Sequence, residues 1–152
     1  MKHKFIKAYM DVAERFSQLS HAQRLKVGAI VVKDDRIISI GYNGMPSGWD
    51  NCCEDEVENT FQSPDGAAFT TKSLKTKPQV LHAESNAITK LAKSTESGRD
   101  GIMFCTHSPC IECAKLIFQS GISKVIYNND YRSDEGINFL KDSGVVVEKM
   151  GE

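Results

Sequence analysis

The amino-acid sequence predicts an α/β fold in which a sheet of mixed strand direction is covered by helices. Early in the chain, VGAIVV and RIISIGY are β-rich runs joined by Lys33, Asp34 and Asp35, which is the pattern of an antiparallel hairpin. In the second half, strand-like and helix-like segments alternate. Such alternation is typical of parallel strands that are connected through helices lying on the faces of the sheet.

The chain opens with a helix predicted from about Phe5 to Leu19, because Phe5, Tyr9, Val12 and Phe16 share one helical face. After the hairpin, residues 43–79 are rich in Gly, Asn, Pro, Ser and Thr. We expect a long loop insert at about 43–79, and connections of this length in a compact domain usually carry function.

The elements after this insert follow one another closely. A helix is predicted from about Ala83 to Lys93, GIMFCT is predicted to be a buried strand, and CIECAKLIFQS a helix closed by Gly121. KVIYN is predicted to be a further strand, DEGINFLKDS a helix that ends at Gly144, and VVVEKM the last strand. The order is α-β-β-α-β-α-β-α-β, and residues 1–152 form one domain without an internal repeat.

Composition excludes several classes of protein. The chain has 152 residues and a formal net charge of -1, so no overall basic field indicates a nucleic-acid or membrane partner. No apolar run approaches the ~18 residues that a membrane span needs. The first residues form neither an apolar segment nor a cleavage site of the signal-peptide type. Five cysteines in such a chain indicate reduced thiols and a cytoplasmic location, which for a viral chain is the host cytoplasm.

Two short motifs carry the strongest chemical signal. The segment HAE at residues 82–84 lies at one predicted helix start, and PCIEC at residues 109–113 lies at another. Helix N-termini favour negative groups and therefore lower the pKa of thiols. Thiolates of Cys110 and Cys113 with a neutral His82 imidazole would balance Zn²⁺ and leave a fourth position open, which is the pattern of catalytic zinc.

Each motif alone has an ordinary explanation, since an isolated histidine is usually structural or solvated and an isolated C-x-x-C pair is often incidental or redox-active. Together they match H-x-E followed by P-C-x-x-C, the signature of zinc-dependent nucleobase deaminases. Glu84 is then the catalytic acid and base, close to the metal without being a ligand.

Further blocks extend the match over almost the whole chain. KVGAIVV, GYNGMPSG, HAESNAI and SPCIECAKLI resemble deoxycytidylate (dCMP) deaminases of the phage and eukaryotic type, within the cytidine deaminase superfamily. GYNGMP together with HAE-x-NAI is more specific than the zinc motif and separates nucleotide deaminases from nucleoside and RNA-editing relatives. The resemblance implies a three-layer αβα sandwich around a five-stranded mixed sheet, one catalytic Zn²⁺ per chain and a homohexamer.

The resemblance also implies a set of substrate-binding residues. Each has a structural alternative: Asn43 as a turn residue, Arg24 as a solvated charge, and the two tyrosines as packing residues. Arg24 resembles an arginine that binds the substrate phosphate in relatives. Asn43 resembles an asparagine that contacts the substrate sugar or base. The predicted substrate-binding residues are Arg24, Asn43, Ser108, Tyr127 and Tyr131.

Regulation is a further implication of the resemblance. Gly44, Asn86, Lys90 and Lys93 correspond to the region where deoxynucleoside triphosphates bind in regulated relatives, although exposed helix lysines usually face solvent. We expect activation by dCTP and inhibition by dTTP, with Mg²⁺ accompanying a bound triphosphate.

The three cysteines outside the zinc motif raise the question of a second metal site. Some relatives hold a structural zinc through a cysteine in the region of Cys52 and Cys53. No histidine lies between Cys53 and His82, so both thiols are interpreted as structural or free. Cys105, inside a predicted strand, is interpreted as a core residue.

The implied reaction is hydrolytic deamination of dCMP to dUMP, which supplies dUMP for thymidylate synthesis. One alternative is an enzyme that acts on dCTP or on both nucleotides. A nucleic-acid-editing deaminase is disfavoured by the net charge and by the lack of a basic and aromatic cluster. A non-enzymatic zinc module would need a fourth protein ligand, and the motif offers none.

Overall fold

The computed structural model describes every residue from Met1 to Glu152. The helices are α1 (His3–Ser17), α2 (Ala83–Ala92), α3 (Ile111–Gln119) and α4 (Glu135–Asp142). The strands are β1 (Gly28–Lys33), β2 (Arg36–Tyr42), β3 (Glu54–Gln62), β4 (Ala68–Thr76), β5 (Ile102–His107), β6 (Lys124–Asn129) and β7 (Val146–Lys149). None of the helices is long and apolar enough to cross a membrane.

Five strands form the central sheet in the order β2-β1-β5-β6-β7. Strand β1 is antiparallel to both of its neighbours, β2 and β5. The β5–β6 and β6–β7 pairs are parallel. The predicted opening hairpin and the predicted parallel second half are both confirmed.

Helices cover both faces of this sheet, as expected for an αβα sandwich. On one face, Met10 and Ala13 of α1 pack on Ile30, Phe104 and Ile126. On the other face, apolar residues of α2, α3 and α4 pack on the alternate strand residues, which include Val31, Met103, Cys105 and Val125. Alternation of side chains along each strand produces these two cores.

The contact between β2 and α2 is close enough to require a glycine. A Cβ atom on Gly41 would lie 2.2 Å from the carbonyl oxygen of Ala83 and 2.6 Å from the amide nitrogen of Ala87. Both contacts are with helix backbone, which has little freedom to move aside. Gly41 therefore fixes the first turn of α2, where His82 and Glu84 lie, directly against the sheet.

The insert differs from the expectation of a loop over 43–79. Strands β3 and β4 pair antiparallel from Glu54 opposite Thr76 to Gln62 opposite Ala68, and nearly all of their residues are exposed. A ribbon with polar residues on both faces lacks the apolar alternation by which a strand is predicted. The predicted loop is therefore wrong over Glu54–Thr76, although it holds for the segments on either side.

Candidate active site

Three donor atoms from two helix starts converge at the edge of the sheet. His82 is the N-cap residue of α2, Cys110 is the N-cap residue of α3, and Cys113 lies in the first turn of α3. The Nδ1 atom of His82 is 3.5 Å from Sγ of Cys110 and 3.3 Å from Sγ of Cys113. Since all three donor atoms lie within 4.8 Å of one another, the cluster fits the nitrogen and sulfur donor set that zinc prefers.

Neighbouring segments hold these donors in place. A two-way backbone bridge joins Gly44 to Leu81, the residue before His82. Gly136 of α4 packs against the other ligand segment, because a Cβ atom there would lie 2.1 Å from the carbonyl oxygen of Pro109 and 2.8 Å from the carbonyl carbon of Cys110. Both ligand segments are therefore fixed by backbone contacts.

The two thiols have opposite electrostatic environments. Hydrogen bonds with Cys113 and with His82 lower the pKa of Cys110 to about 3, which favours its thiolate form. The pKa of the Cys113 thiol is raised, because it shares a hydrogen bond with Cys110 and is buried. A bound divalent cation would stabilise both thiolates, since a coordinating thiol loses its proton.

Glu84 lies beside this cluster in the first turn of α2. Its side chain is buried, with 4% of the residue exposed. Burial raises the pKa of Glu84 to about 7. The hydrogen bond from its own backbone amide and the charge of His82 act in the opposite direction and lower this pKa. A cation bound next to the carboxyl would favour its charged form and lower this pKa. Burial and a neighbouring cation thus act in opposite directions on the pKa of this carboxyl.

The cluster opens into a cavity of about 400 Å³. Four of the predicted substrate-binding residues line this cavity, namely Arg24, Asn43, Ser108 and Tyr131. His82, Glu84 and Cys110 form part of the same wall. The structure therefore brings the predicted metal ligands, the predicted acid and base, and most of the predicted binding residues to one place.

Tyr127 is the exception among the predicted binding residues. It does not line the cavity but lies in β6, paired with Cys105 and Lys149, and packs in the core beneath the helices. Strand alternation turns its ring into that core, whereas Tyr131 follows the end of β6 and is free to reach the cavity. The assignment of Tyr127 to the cavity is therefore corrected to a packing role.

Asn43 and Ser108 form the framework of the cavity wall. The Asn43 side chain accepts a hydrogen bond from the amide of Val27 at 2.8 Å and donates one to the carbonyl of Leu25 at 2.8 Å. The hydroxyl of Ser108 accepts a hydrogen bond from the amide of Tyr131 at 2.8 Å. Each side chain thus ties two wall segments together.

Sequence reasoning missed several wall residues, above all Glu54 and Thr76 at the base of the β3–β4 ribbon and Asp130 and Arg132 after β6. Glu54 and Thr76 belong to the segment that was predicted to be a loop. Without predicted strands there was no strand pairing from which their proximity could be inferred. Arg132 lies next to Tyr131, and its guanidinium is 5.0 Å from the centre of that ring. Its proximity to the predicted Tyr131 was the one available signal.

A second cavity, of about 350 Å³, lies on the other side of Asn43. Its lining includes Gly44, Asn86 and Lys90, together with His21 and the segment from Met45 to Gly48. Lys93 does not line it, because this residue caps the far end of α2. The second cavity thus brings together Gly44, Asn86 and Lys90 of the predicted effector residues, and Lys93 lies apart from them.

The insert cysteines do not form a second metal cluster. The one group of three potential ligands in the structure is His82, Cys110 and Cys113. Cys52 is exposed, while Cys53 is buried with its thiol 3.6 Å from the carbonyl of Asn51. That both are structural or free thiols remains a prediction.

Comparison with known proteins identifies the family. Residues 3–129 match the model of the cytidine and deoxycytidylate deaminase zinc-binding region. The deoxycytidylate deaminase of Enterobacteria phage T4 is 32% identical, with 91% of this chain and 86% of the phage protein covered. The human deoxycytidylate deaminase is 39% identical over 84% of this chain and 67% of the human protein.

A solved structure agrees along nearly the whole chain. The dCMP deaminase of cyanophage S-TIM5, determined in complex with dCMP and dUMP, superimposes with a TM-score of 0.83 at 49% identity and covers 99% of both chains. The αβα sandwich and the resemblance stated from the sequence are thus confirmed, and the chain belongs to the family of cytidine and deoxycytidylate deaminases with a zinc-binding region.

Proposed function

We propose that the chain hydrolyses dCMP to dUMP with release of ammonia, in a zinc-dependent reaction that supplies dUMP for thymidylate synthesis. The convergence of His82, Cys110 and Cys113 beside the buried Glu84, at the wall of one cavity, carries this proposal. The similarity to the cyanophage enzyme that was crystallised with dCMP and dUMP supports the choice of substrate and product.

His82, Cys110 and Cys113 would hold the zinc ion and leave one tetrahedral position for a non-protein ligand. When bound, zinc is a Lewis acid that makes water an effective nucleophile at neutral pH. Zinc is thus assigned to nucleophile activation and the chain to binding and proton transfer.

Glu84 moves the protons. Its carboxylate takes a proton from the water that adds to C4 of the cytosine ring and delivers it to ring N3, so that C4 accepts the new bond to oxygen. The same carboxyl then takes the second proton of that oxygen and passes it to the amino group, which leaves as ammonia. Its burial beside the three ligand side chains suits a group that passes protons between the water and the ring.

The far end of the cavity selects the phosphate. Arg24 lines the cavity with its guanidinium hydrogen-bonded to the hydroxyl of Thr76 at 3.1 Å, which supports its assignment to the 5′-phosphate. Glu54 and Asp130 line the same cavity. These carboxylates disfavour the additional negative charge of a triphosphate, so the monophosphate is preferred over dCTP.

Regulation by triphosphates is proposed at the second cavity. Lys90 and His21 line it, and Asn86 donates a hydrogen bond to the carbonyl of Tyr42 at 2.8 Å. Tyr42 precedes Asn43, which lines both cavities. A triphosphate bound there with Mg²⁺ would contact Asn43 and α2, both of which also line or support the reaction cavity. Saturation curves for dCMP with and without dCTP or dTTP test this, and unchanged curves would contradict it.

The reaction itself is tested by measuring ammonia release from cytidine, dCMP, dCTP and a transfer RNA under identical conditions. We expect dCMP to be converted with a far higher kcat/KM than the other three. Faster release from dCTP would favour the triphosphate enzyme, and release from the RNA alone would overturn the proposal.

A further inference from the structure

Glu54 has an unusual position in the cavity wall. It is the first residue of β3, 6% exposed, and it lines the cavity together with Arg24. Its Oε1 atom accepts hydrogen bonds from the backbone amides of Gln23, at 2.8 Å, and Arg24, at 3.2 Å. Its Oε2 atom is the one buried side-chain nitrogen or oxygen atom in the structure that has no hydrogen-bond partner.

A buried carboxylate oxygen without a partner is costly. Burying a charged oxygen without a hydrogen bond costs at least as much free energy as burying a neutral polar atom in the same way. Folded proteins therefore rarely contain such an atom without a functional reason. The Glu54 carboxylate does not gain this partner from its own fold, because both nearby backbone amides bond to Oε1. A donor supplied by the ligand of the cavity is the simplest completion of this site.

The chemistry of the proposed substrate identifies that donor. At neutral pH dCMP carries two hydrogen-bond donors, the amino group on C4 and the 3′-hydroxyl of the sugar, whereas its phosphate is mainly an acceptor. The amino group is at the reacting carbon and must lie beside Glu84 and His82. The 3′-hydroxyl is therefore the donor that remains for Glu54.

The surroundings of Glu54 agree with this assignment. The 3′-hydroxyl and the 5′-phosphate belong to one sugar, so their binding groups must be neighbours. Oε1 of Glu54 holds the backbone of Arg24, the residue assigned to the phosphate, and the Arg24 guanidinium bonds to Thr76, which pairs with Glu54 across the ribbon. The Glu54 carboxylate and the Arg24 guanidinium therefore lie in the same part of the cavity wall.

We propose that Glu54 accepts a hydrogen bond from the 3′-hydroxyl of the substrate through its free Oε2 and so selects nucleotides whose 3′-hydroxyl is unsubstituted. This inference rests on the proposed function. A nucleotide within a nucleic-acid strand has a phosphate at this position, which offers no donor and brings a negative charge against a buried carboxylate. The base of the ribbon thereby discriminates mononucleotides from polynucleotides.

The test compares dCMP with 2′,3′-dideoxycytidine 5′-monophosphate, which lacks the hydroxyl. For the wild-type chain we expect kcat/KM to be about 10- to 100-fold higher with dCMP, the range for a hydrogen bond to a charged group. Glu54→Gln retains a carbonyl oxygen for the amides of Gln23 and Arg24 but loses the second acceptor. It should lower kcat/KM for dCMP about 10- to 100-fold and leave the dideoxy substrate within about threefold of wild type.

A second substrate tests the exclusion of 3′-phosphates. Deoxycytidine 3′,5′-bisphosphate should be a poor substrate for the wild-type chain and should improve relative to dCMP in Glu54→Gln, because the repelling charge is removed. The matched control is Glu58→Gln, which removes the same charge from an exposed position on the same face of β3 and should change none of these ratios.

Affinity measurements test the role of Glu54 independently of whether dCMP is deaminated. Calorimetric affinities for dCMP and its dideoxy analogue, measured in Glu84→Gln, should differ about 10-fold or more, and the difference should vanish in Glu54→Gln/Glu84→Gln. Equal affinities for the two nucleotides, or an equal loss for both in Glu54→Gln, would overturn the inference even if dCMP is deaminated. If the hydroxyl preference is present but dCMP is not deaminated, the proposed function fails and the role of Glu54 stands.

Discussion

Glu84 is the residue on which the proposed proton transfers depend, because it is the buried carboxyl next to the three ligand side chains. Glu84→Gln preserves the shape of the side chain but cannot carry a proton. We expect turnover to fall by about 10²- to 10⁴-fold, the usual contribution of general acid–base catalysis, while zinc content is unchanged. Steady-state kinetics and metal analysis of the same sample measure both quantities.

The matched control for this substitution is Glu96→Gln, at a partly exposed site that pairs with Arg36 outside the cavity lining, and its turnover should remain at the wild-type level. Activity of Glu84→Gln within a few-fold of wild type would refute the role given to this carboxyl. Loss of zinc in Glu84→Gln would instead make its role structural.

Arg24 is the residue that we propose to bind the 5′-phosphate. Arg24→Ala removes the guanidinium that lines the cavity, so turnover of dCMP should fall by about 10- to 100-fold, the worth of a charge-assisted hydrogen bond. Deoxycytidine, which has no phosphate, should be converted at a rate that barely changes. Lys26→Ala, at an exposed position outside the cavity lining, is the control. Equal losses for both substrates would show that Arg24 is structural and that the phosphate lies elsewhere.

Element packing places the metal ligands, and α4 contributes through Gly136. A methyl group at this position would overlap the Pro109–Cys110 backbone, so Gly136→Ala must displace the segment that carries a ligand. We expect zinc affinity to fall by about 10- to 100-fold, as for other residues that orient metal ligands. Competition with a chromogenic chelator measures the affinity. Lys141→Ala, on the exposed side of the same helix, should retain wild-type affinity, and equal affinities for both variants would refute the role of this contact.

The elements also show what sequence patterns can and cannot predict. Helix α2 was predicted to start at Ala83, where it does start, because the ligand motif and the helical periodicity coincide there. Strands β3 and β4 were missed because polar residues occupy both faces of the ribbon, as the consecutive Glu58 and Asn59 show. Glu54 was missed with them, since its place in the cavity depends on pairing with a residue 22 positions later.

Sequence patterns also could not distinguish the two tyrosines predicted to bind substrate. Tyr127 and Tyr131 are four positions apart and chemically alike, and a single sequence gives no sign of which one leaves the core. The difference arises from where β6 ends, at Asn129, and strand ends are the least certain part of a sequence-based assignment.

At the scale of the whole molecule, exposed apolar side chains bear on assembly. Phe61 and Phe69 stack at the far end of the ribbon with 48% and 53% of their surfaces exposed, and Trp49 is 58% exposed. Exposed apolar groups of this size favour burial against another surface. Together with the family resemblance, this predicts a homohexamer.

Multi-angle light scattering at assay concentration should therefore give about six times the mass of one chain. Phe61→Ser/Phe69→Ser tests whether the ribbon tip contributes, and it should lower the measured mass if that tip is buried between copies. Thr60→Ser, on the opposite face of the ribbon, is the control. A monomeric mass for the wild-type protein would contradict the predicted assembly.

The central claim, that His82, Cys110 and Cys113 form the zinc centre of a dCMP deaminase, is tested most directly by returning metal to metal-free protein. Zinc is removed with a chelator, added back in fractional equivalents, and ammonia release from dCMP is measured at each step. We expect no turnover without zinc and a linear rise that ends at about one zinc per chain, with Cys110→Ser neither retaining zinc nor regaining activity. Cys52→Ser should behave as wild type. Full turnover in the metal-free protein, or an end point at two zinc ions per chain, would contradict it.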